Sequence, residues 1–224
     1  MRDEAGAGAV LLAHAPELPW IPIAGRPLLA WAAQVFDRML EVQETALVVA
    51  PERLGEAHAL AVSEGWTHIR ALVPSGPRRR DALHAGLAAL ALAHRWVVLH
   101  DAARPLVTAE LIAAGLSAAQ QTGAASAAVP VKETIKRVRD GTILQTLDRT
   151  HLALLQTPQV FDLGRLEAAY ANLPPDADPP DAATVAAAAG LRIAPFPGDP
   201  ENIAVATPAD LLLAKRLLHA RHGL

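Results

Sequence analysis

The feature that most constrains this chain is a rhythm. Short runs with no polar side chain, such as residues 46–50 (ALVVA) and 96–99 (WVVL), alternate with longer stretches of helical character. A strand with one solvated face alternates apolar and polar residues, whereas a strand covered on both faces does not. Further strands are expected at 8–13, 68–73 and 124–131. Helices are expected at 27–40, with Pro27 in the first turn, at 53–63, at 79–94, and at 108–121 behind Thr108 as N-cap. This order predicts an α/β fold: a mainly parallel sheet flanked by helices on both faces. No repeat and no linker interrupts it, so residues 1–224 read as one domain.

After residue 131 the rhythm changes. Residues 133–139 and 142–148 flank Asp140-Gly141, the favoured pair for a two-residue hairpin turn. The flanks (TIKRV, TILQTL) are too polar for a core pair, so a projecting β-arm is expected over about 133–156. An arm with apolar residues on one face packs against something, and a second subunit is one option. Beyond it, residues 162–172, 181–189 and 207–219 read as helices and 191–195 as a strand. Thr207-Pro208 supplies a cap and a first-turn proline. Residues 173–180 (LPPDADPP) read as a surface loop.

Composition removes several function classes. The chain has no cysteine, which excludes disulfides, thiolate catalysis and thiolate-bound metal. With 20 basic and 23 acidic residues it lacks the charge of a nucleic-acid binder. Its 52% hydrophobic content comes largely from 49 alanines, so helix surface is expected and a membrane span is not. No basic stretch followed by a long apolar run opens the sequence; no signal peptide and a cytoplasmic location are the expectation. Only Lys132, Lys136 and Lys215 are lysine, so chemistry that needs positive charge leans on arginine.

The strongest chemical candidate is residues 100–105 (HDAARP), directly after a buried strand. In open α/β sheets ligands bind beyond the carboxyl ends of strands, and an Asp there suits a hard cation such as Mg²⁺. The plainer alternative has Asp101 capping a turn and pairing with Arg104. Residues 75–81 (SGPRRRD) place small residues and three arginines before a helix, an arrangement suited to phosphates. The alternative is a solvated basic turn with Asp81 as its partner. Arg149 stands at the foot of the arm. Residues 156–159 (QTPQ) read as a turn whose amides can address a base or hydroxyls, or as an ordinary turn. There is no P-loop, no G-x-S-x-G and no H-E-x-x-H, and Gly6-x-Gly8 precedes its strand, unlike a dinucleotide fingerprint. His219 and His222 are expected to be solvated.

Taken in order, these pieces resemble the 2-C-methyl-D-erythritol 4-phosphate cytidylyltransferase family. The matching segments are SGPRRRDALHAGL (75–87), VVLHDAARP (97–105), AVPVKETIKR (128–137), TLDR (146–149), QTPQVF (156–161) and GDPENIAVATPADLLLA (198–214). The resemblance implies a Rossmann-like nucleotidyltransferase fold whose β-arm completes a homodimer. It implies CTP, Mg²⁺ and a sugar-alcohol phosphate, and transfer of CMP with release of pyrophosphate in non-mevalonate isoprenoid synthesis. Carried onto this chain, Asp101 is the metal ligand and a catalytic residue. Gly76, Arg79, Asp101 and Ala102 contact the nucleotide. Thr134 and Arg149, on the arm, grip the acceptor phosphate in the partner's site, and Arg149 is counted as catalytic.

The chain departs from the family in one region above all. The family opens with a glycine-rich loop carrying an arginine, then a lysine. Here residues 10–20 read VLLAHAPELPW, with neither cation; His14 and, farther on, Arg26 are the nearby substitutes. The family's Asn-Ile-Lys is Asn202-Ile203-Ala204, its serine after the RxD element is Ala82, and its Thr-Asp-Asp/Glu-Ala segment is 180–183 (PDAA). Arg78 and Arg80 are extra cations that can compensate. Two alternatives therefore stand beside the transferase: a nucleotide-binding relative with impaired catalysis, and a nucleotidyltransferase with another acceptor.

Overall fold

A computed structural model describes residues 3–91, 94–174 and 176–223. The elements run β1 (Asp3–Ala13), β2 (Pro22–Ile23), β3 (Arg26–Pro27), α1 (Leu28–Arg38), β4 (Val42–Val49), α2 (Leu54–Glu64) and β5 (Ile69–Pro74). They continue with α3 (Arg79–Ala88), β6 (His94–Asp101), α4 (Ala109–Thr122), β7 (Ala124–Pro130), β8 (Lys136–Arg139), β9 (Thr142–Thr146) and β10 (Ala153–Asp162). The chain closes with α5 (Leu163–Ala171), α6 (Ala182–Ala188), β11 (Ala194–Pro197) and α7 (Pro208–His222).

Seven strands form one sheet in the order β11-β7-β10-β6-β1-β4-β5. β1 pairs in parallel with β4 and β6, β4 with β5, and β7 with β11. Only β10 runs antiparallel, between β6 and β7. Both faces are covered, which is why the strands are apolar throughout. On β1, Ala9 and Leu11 enter one core with Leu29 and Phe36 of α1 and Ile112 and Leu116 of α4. Val10 and Leu12 enter the other, with Leu83 and Leu87 of α3 and Leu163 and Leu166 at α5. Each of these valines, leucines, isoleucines and phenylalanines, fully buried, contributes about 1.5–3 kcal/mol. Gly86 lets α3 press onto the sheet; a Cβ there would meet Val10 Cγ1 at 2.5 Å. A third cluster seats α7, with Ala214 and Leu218 against Leu28, Trp31, Leu106 and Val205.

Most predicted elements are present with shifted ends. Thr108 caps α4 through Leu111 N, at 3.2 Å. Thr207 and Asp210 form a reciprocal cap on α7. Asp140 and Gly141 take the left-handed conformations that the hairpin turn requires, with φ of 48° and 72°. Pro27 is the N-cap of α1 rather than a first-turn residue. The predicted helix over 79–94 ends at Ala88; its residues 92–93 lie outside the described residues, and His94 already belongs to β6. The sequence reading missed the short pair β2 and β3 and, in the main sheet, one strand altogether. Residues 156–159 are not a turn but part of β10. A proline argues against a central strand because it cannot donate to the ladder. Here the pairing with β7 shifts register between Leu155 and Gln159, around a cis Thr157–Pro158 peptide. Among the described residues, no helix is long and apolar enough to cross a membrane.

Candidate active site

Parallel β1 and β6 end on the same edge of the sheet, with Leu12 opposite Asp101. Antiparallel β10 brings its early residues to that edge, with Gln159 opposite Leu99. A cavity of about 210 Å³ opens there, lined by residues that include Arg79, Asp101, Arg104, Gln156, Thr157, Gln159 and Asp181.

Asp101 is fixed on several sides. Its Oδ1 accepts from Arg79 Nη1 at 2.7 Å, and its backbone N–H donates to Thr157 Oγ1 at 3.1 Å. Its partner is therefore Arg79, twenty-two residues away, and not Arg104 as the plainer sequence reading had it. Arg104 is oriented by other groups. Its N–H donates to Asp101 O at 2.9 Å, and its Nη1 donates to Asn202 O at 2.7 Å. Burial pulls its pKa below the ordinary value, and its buried Nε has no protein partner. His100 beneath it is fully buried, which pushes its pKa down to about 4 and keeps the ring neutral. His100 Nε2 donates to Arg104 O at 3.1 Å; an accepting carbonyl fixes that tautomer.

Asn202, wholly buried, ties this edge together. Its Nδ2 donates to Thr157 O at 2.7 Å, while its own carbonyl receives Arg104 and, at 3.3 Å, Gln156 Nε2. Gln156 Nε2 also donates to Asp199 O at 2.9 Å. Across the cavity Gln159 Nε2 donates to Asp181 Oδ2 at 3.3 Å, and Asp181 Oδ1 caps α6 through Thr184 N. Such a network holds its members more firmly than isolated bonds do.

The three arginines before α3 do not act together. Arg79 faces the cavity. Arg78 Nε donates to Asp81 Oδ2 at 2.9 Å, and Arg80 Nη1 donates to Pro174 O at 2.6 Å and Ala177 O at 2.7 Å. The expectation that Arg78 and Arg80 replace the missing loop cations is therefore corrected: both are committed outside the cavity. Gly76 stands close to α3, where a Cβ would lie 2.4 Å from Asp81 Cβ, but it does not line the cavity. Ala102 is buried and its N–H is spent on Leu12 O at 2.9 Å.

The β1–α1 connection forms the other flank. Arg53 braces it, donating from Nε to Pro16 O at 2.8 Å and lying 5.6 Å from the Trp20 ring centroid. Arg26, the second expected substitute cation, turns away. It pairs with Glu64 at 2.5 Å, donates to Gln34 Oε1 at 2.7 Å and lies over Trp31. His222 is not simply solvated, since its ring stacks at 5.1 Å on Trp31.

Thr134 and Arg149 are exposed on the arm, and neither lines the cavity of its own chain. Arg149 Nη1 donates to Lys132 O. Sequence reasoning assigned no site role to Arg104, Thr157, Asn202 or Asp181. Arg104 was within reach, inside the HDAARP run. Asn202 and Thr157 gave no local signal, because they meet across forty-five residues.

A divalent cation fits this donor set. Asp101 commits Oδ1 to Arg79, which leaves Oδ2 for a metal. Among the described residues no group of three or more His, Asp or Glu side chains could cage one. One carboxylate completed by substrate phosphates is a common arrangement for Mg²⁺.

The chain matches the family model described as 2-C-methyl-D-erythritol 4-phosphate cytidylyltransferase over residues 3–220. It is 40% identical over 207 residues to the enzyme of that name from Cereibacter sphaeroides, covering 92% of this chain and 90% of the relative. The enzyme of that name from Dehalococcoides mccartyi is 37% identical over 197 residues, covering 88% and 86%. The crystal structure of 4-diphosphocytidyl-2C-methyl-D-erythritol synthase from Anaerococcus prevotii shares the fold. Its TM-score is 0.87 at 24% identity, over 96% of both chains. This chain belongs to the 2-C-methyl-D-erythritol 4-phosphate cytidylyltransferase family.

Proposed function

We propose that this chain transfers CMP from CTP to 2-C-methyl-D-erythritol 4-phosphate, giving 4-diphosphocytidyl-2-C-methyl-D-erythritol and pyrophosphate. The observation that carries this reading is the strand-end constellation of Asp101, Arg79 and Arg104 in a chain of this family. An oxygen of the acceptor phosphate attacks the α-phosphorus of CTP in line. The bond to the bridging oxygen of the β-phosphate breaks, and pyrophosphate leaves with that electron pair. No covalent enzyme intermediate is needed, so the protein contributes positioning and charge stabilisation. Arg79 and Arg104 are permanent guanidinium donors at the cavity wall, suited to phosphate oxygens. Asp101 would hold Mg²⁺, whose chemistry there is charge neutralisation on the phosphates. Gln156, Thr157 and Gln159, which line the cavity, are the groups offered to the nucleoside.

The acceptor is gripped in trans. The arm exposes Val138, Ile143, Leu144 and Leu154, each more than half exposed, a face that burial in a homodimer would cover. In that dimer Thr134 and Arg149 of one copy reach the cavity of the other and hold the acceptor phosphate. The cavity and the arm suit small anionic substrates; no nucleic acid or membrane is involved, and the setting is cytoplasmic.

A second reading is favoured by one specific observation. Residues 3–25 contain no lysine or arginine, and Arg26 points elsewhere. A relative that binds CTP without releasing pyrophosphate fits that gap. A panel of nucleoside triphosphates and sugar phosphates, with pyrophosphate release as readout, decides. Preference for CTP with 2-C-methyl-D-erythritol 4-phosphate supports the transferase. CTP binding without release supports the impaired relative, and faster release with another acceptor supports a changed substrate.

A further inference from the structure

We propose that Arg221, in the last turn of α7, is a positioning residue for the site: it ties the loop that carries Arg104 to the turn that receives Arg104, and so fixes where that guanidinium points. The inference rests on the reading of Arg104 as a phosphate-binding group of the transferase site and adds to it a residue outside the cavity.

Arg104 is half-buried at the cavity wall. Its guanidinium is directed by the bond from Nη1 to Asn202 O at 2.7 Å, while its Nε has no partner in the protein. The place of Asn202 O therefore sets the direction of the guanidinium. Asn202 ends a tight turn. Its N–H donates to Asp199 O at 2.9 Å, and Glu201 N donates to Asp199 Oδ1 at 2.8 Å. Toward β10 the turn is held by Gln156, which accepts from Asp199 N at 3.2 Å and donates to Asp199 O at 2.9 Å. On its outer side it is held by Arg221, whose Nη2 donates to Asp199 Oδ2 at 3.2 Å and to Glu201 Oε2 at 2.8 Å.

The same guanidinium reaches the other segment. Arg221 Nη1 donates to Leu106 O at 2.7 Å, two residues beyond Arg104 and 115 residues away in sequence. α7 covers both segments with apolar side chains as well, since Ala214 and Leu218 pack in one cluster with Leu106 and Val205. Between the segments, Val205 N donates to Ala103 O at 2.8 Å. A planar guanidinium with several N–H groups in fixed directions can hold a carbonyl and two carboxylates at once, whereas an ammonium is a compact point charge. Arg221 does not line the cavity, which makes it a positioning residue and not a contact.

The test is a double-mutant cycle on pyrophosphate release, with kcat and KM measured for wild type, Arg221→Ala, Arg104→Ala and the double variant. Arg104→Ala should keep measurable turnover, about 10²–10³ below wild type, so the cycle can be completed. Arg221→Ala should lower kcat/KM at least tenfold where Arg104 is present and less than twofold where it is alanine. The ion pairs of Arg221 are partly exposed, so its melting temperature should fall by less than about 4 °C. Amide hydrogen exchange at Asn202 and Val205 should quicken at least tenfold, with Val10 and Leu11 of β1 unchanged. Arg221→Lys, which keeps the charge without the fork, should lose at least threefold, and it takes the place of the alanine variant in the cycle if that one melts early. An equal loss in both backgrounds, no loss, full activity in Arg221→Lys, or unchanged exchange at Asn202 and Val205 each overturns the proposal. Wild-type protein that releases no pyrophosphate overturns the reaction and the catalytic half of the proposal with it; the exchange rates then still decide whether Arg221 holds the two segments.

Discussion

The two flanks of the strand-end site are built differently. On the β10 flank, Asp101, Arg104, Gln156, Thr157 and Asn202 are locked by a continuous set of hydrogen bonds, most of them sheltered. On the β1–α1 flank, a short connection is braced mainly by Arg53 at its surface, and the buried ring nitrogens His14 Nδ1 and Trp20 Nε1 find no hydrogen-bond partner in the protein. In the proposed reaction the preformed flank is the one that would orient a metal and the reacting phosphates, through Asp101, Arg79 and Arg104. A site can therefore keep its geometry for chemistry while the connection beside it is rewritten, and the two flanks are separable by mutation.

The largest effects should come from the flank that is kept and from the arm. Asp101→Asn and Arg149→Ala should each lower turnover by about 10²–10³, the usual loss for one positioned charge at such a transition state. If Arg149 acts in trans, mixing the two inactive variants restores one intact site in each mixed dimer. Random exchange then recovers about a quarter of wild-type activity. No recovery in dimers shown to exchange would place Arg149 outside the partner's site.

Asn202→Ala probes how far the β10 flank depends on one buried amide. It leaves Thr157 O without its donor, so unfolding free energy should fall by about 1–3 kcal/mol in denaturant titrations. Turnover should fall with it, because Thr157 positions Asp101. Unchanged stability would show that the network is looser than its distances suggest.

His100 sharpens the comparison through pH. Its folded pKa lies below its unfolded value, so the unfolded chain binds more protons between about pH 6.5 and 4. The stability tied to its neutral ring is present above pH 6.5 and is lost as pH falls. Between pH 6.5 and 5 the loss should be about 2 kcal/mol, and His100→Gln should flatten that slope. The smallest effect belongs to the other flank. Arg53→Ala removes an exposed ion pair and a stacking contact, so stability should change by less than about 1 kcal/mol. A larger loss would show that the connection is as firmly built as the β10 flank.

The sheet was legible because strands buried on both faces leave an unambiguous apolar mark, as in residues 46–50 and 96–99. The arm was legible from Asp140-Gly141, whose left-handed pair few other residues adopt readily. β10 was not, because Pro158 reads as a breaker and only the irregular pairing with β7 admits it. Asp101 stood out by its place after a buried strand. Its partner did not, because Arg79 and Arg104 compete for one carboxylate and tertiary geometry chooses between them. The fate of Arg26 and Arg80 was likewise illegible, since Glu64 and the carbonyls of Pro174 and Ala177 reach them across long separations in sequence, whereas Arg78 pairs locally with Asp81.

Pyrophosphate release from CTP, 2-C-methyl-D-erythritol 4-phosphate and Mg²⁺, followed beside Asp101→Asn, tests most directly whether catalysis survives on the preformed flank. Turnover by the wild type that drops at least a hundredfold in the variant is the predicted result. Folded, dimeric wild-type protein that binds CTP yet releases no more pyrophosphate than Asp101→Asn would contradict it, and would leave this chain a nucleotide-binding relative.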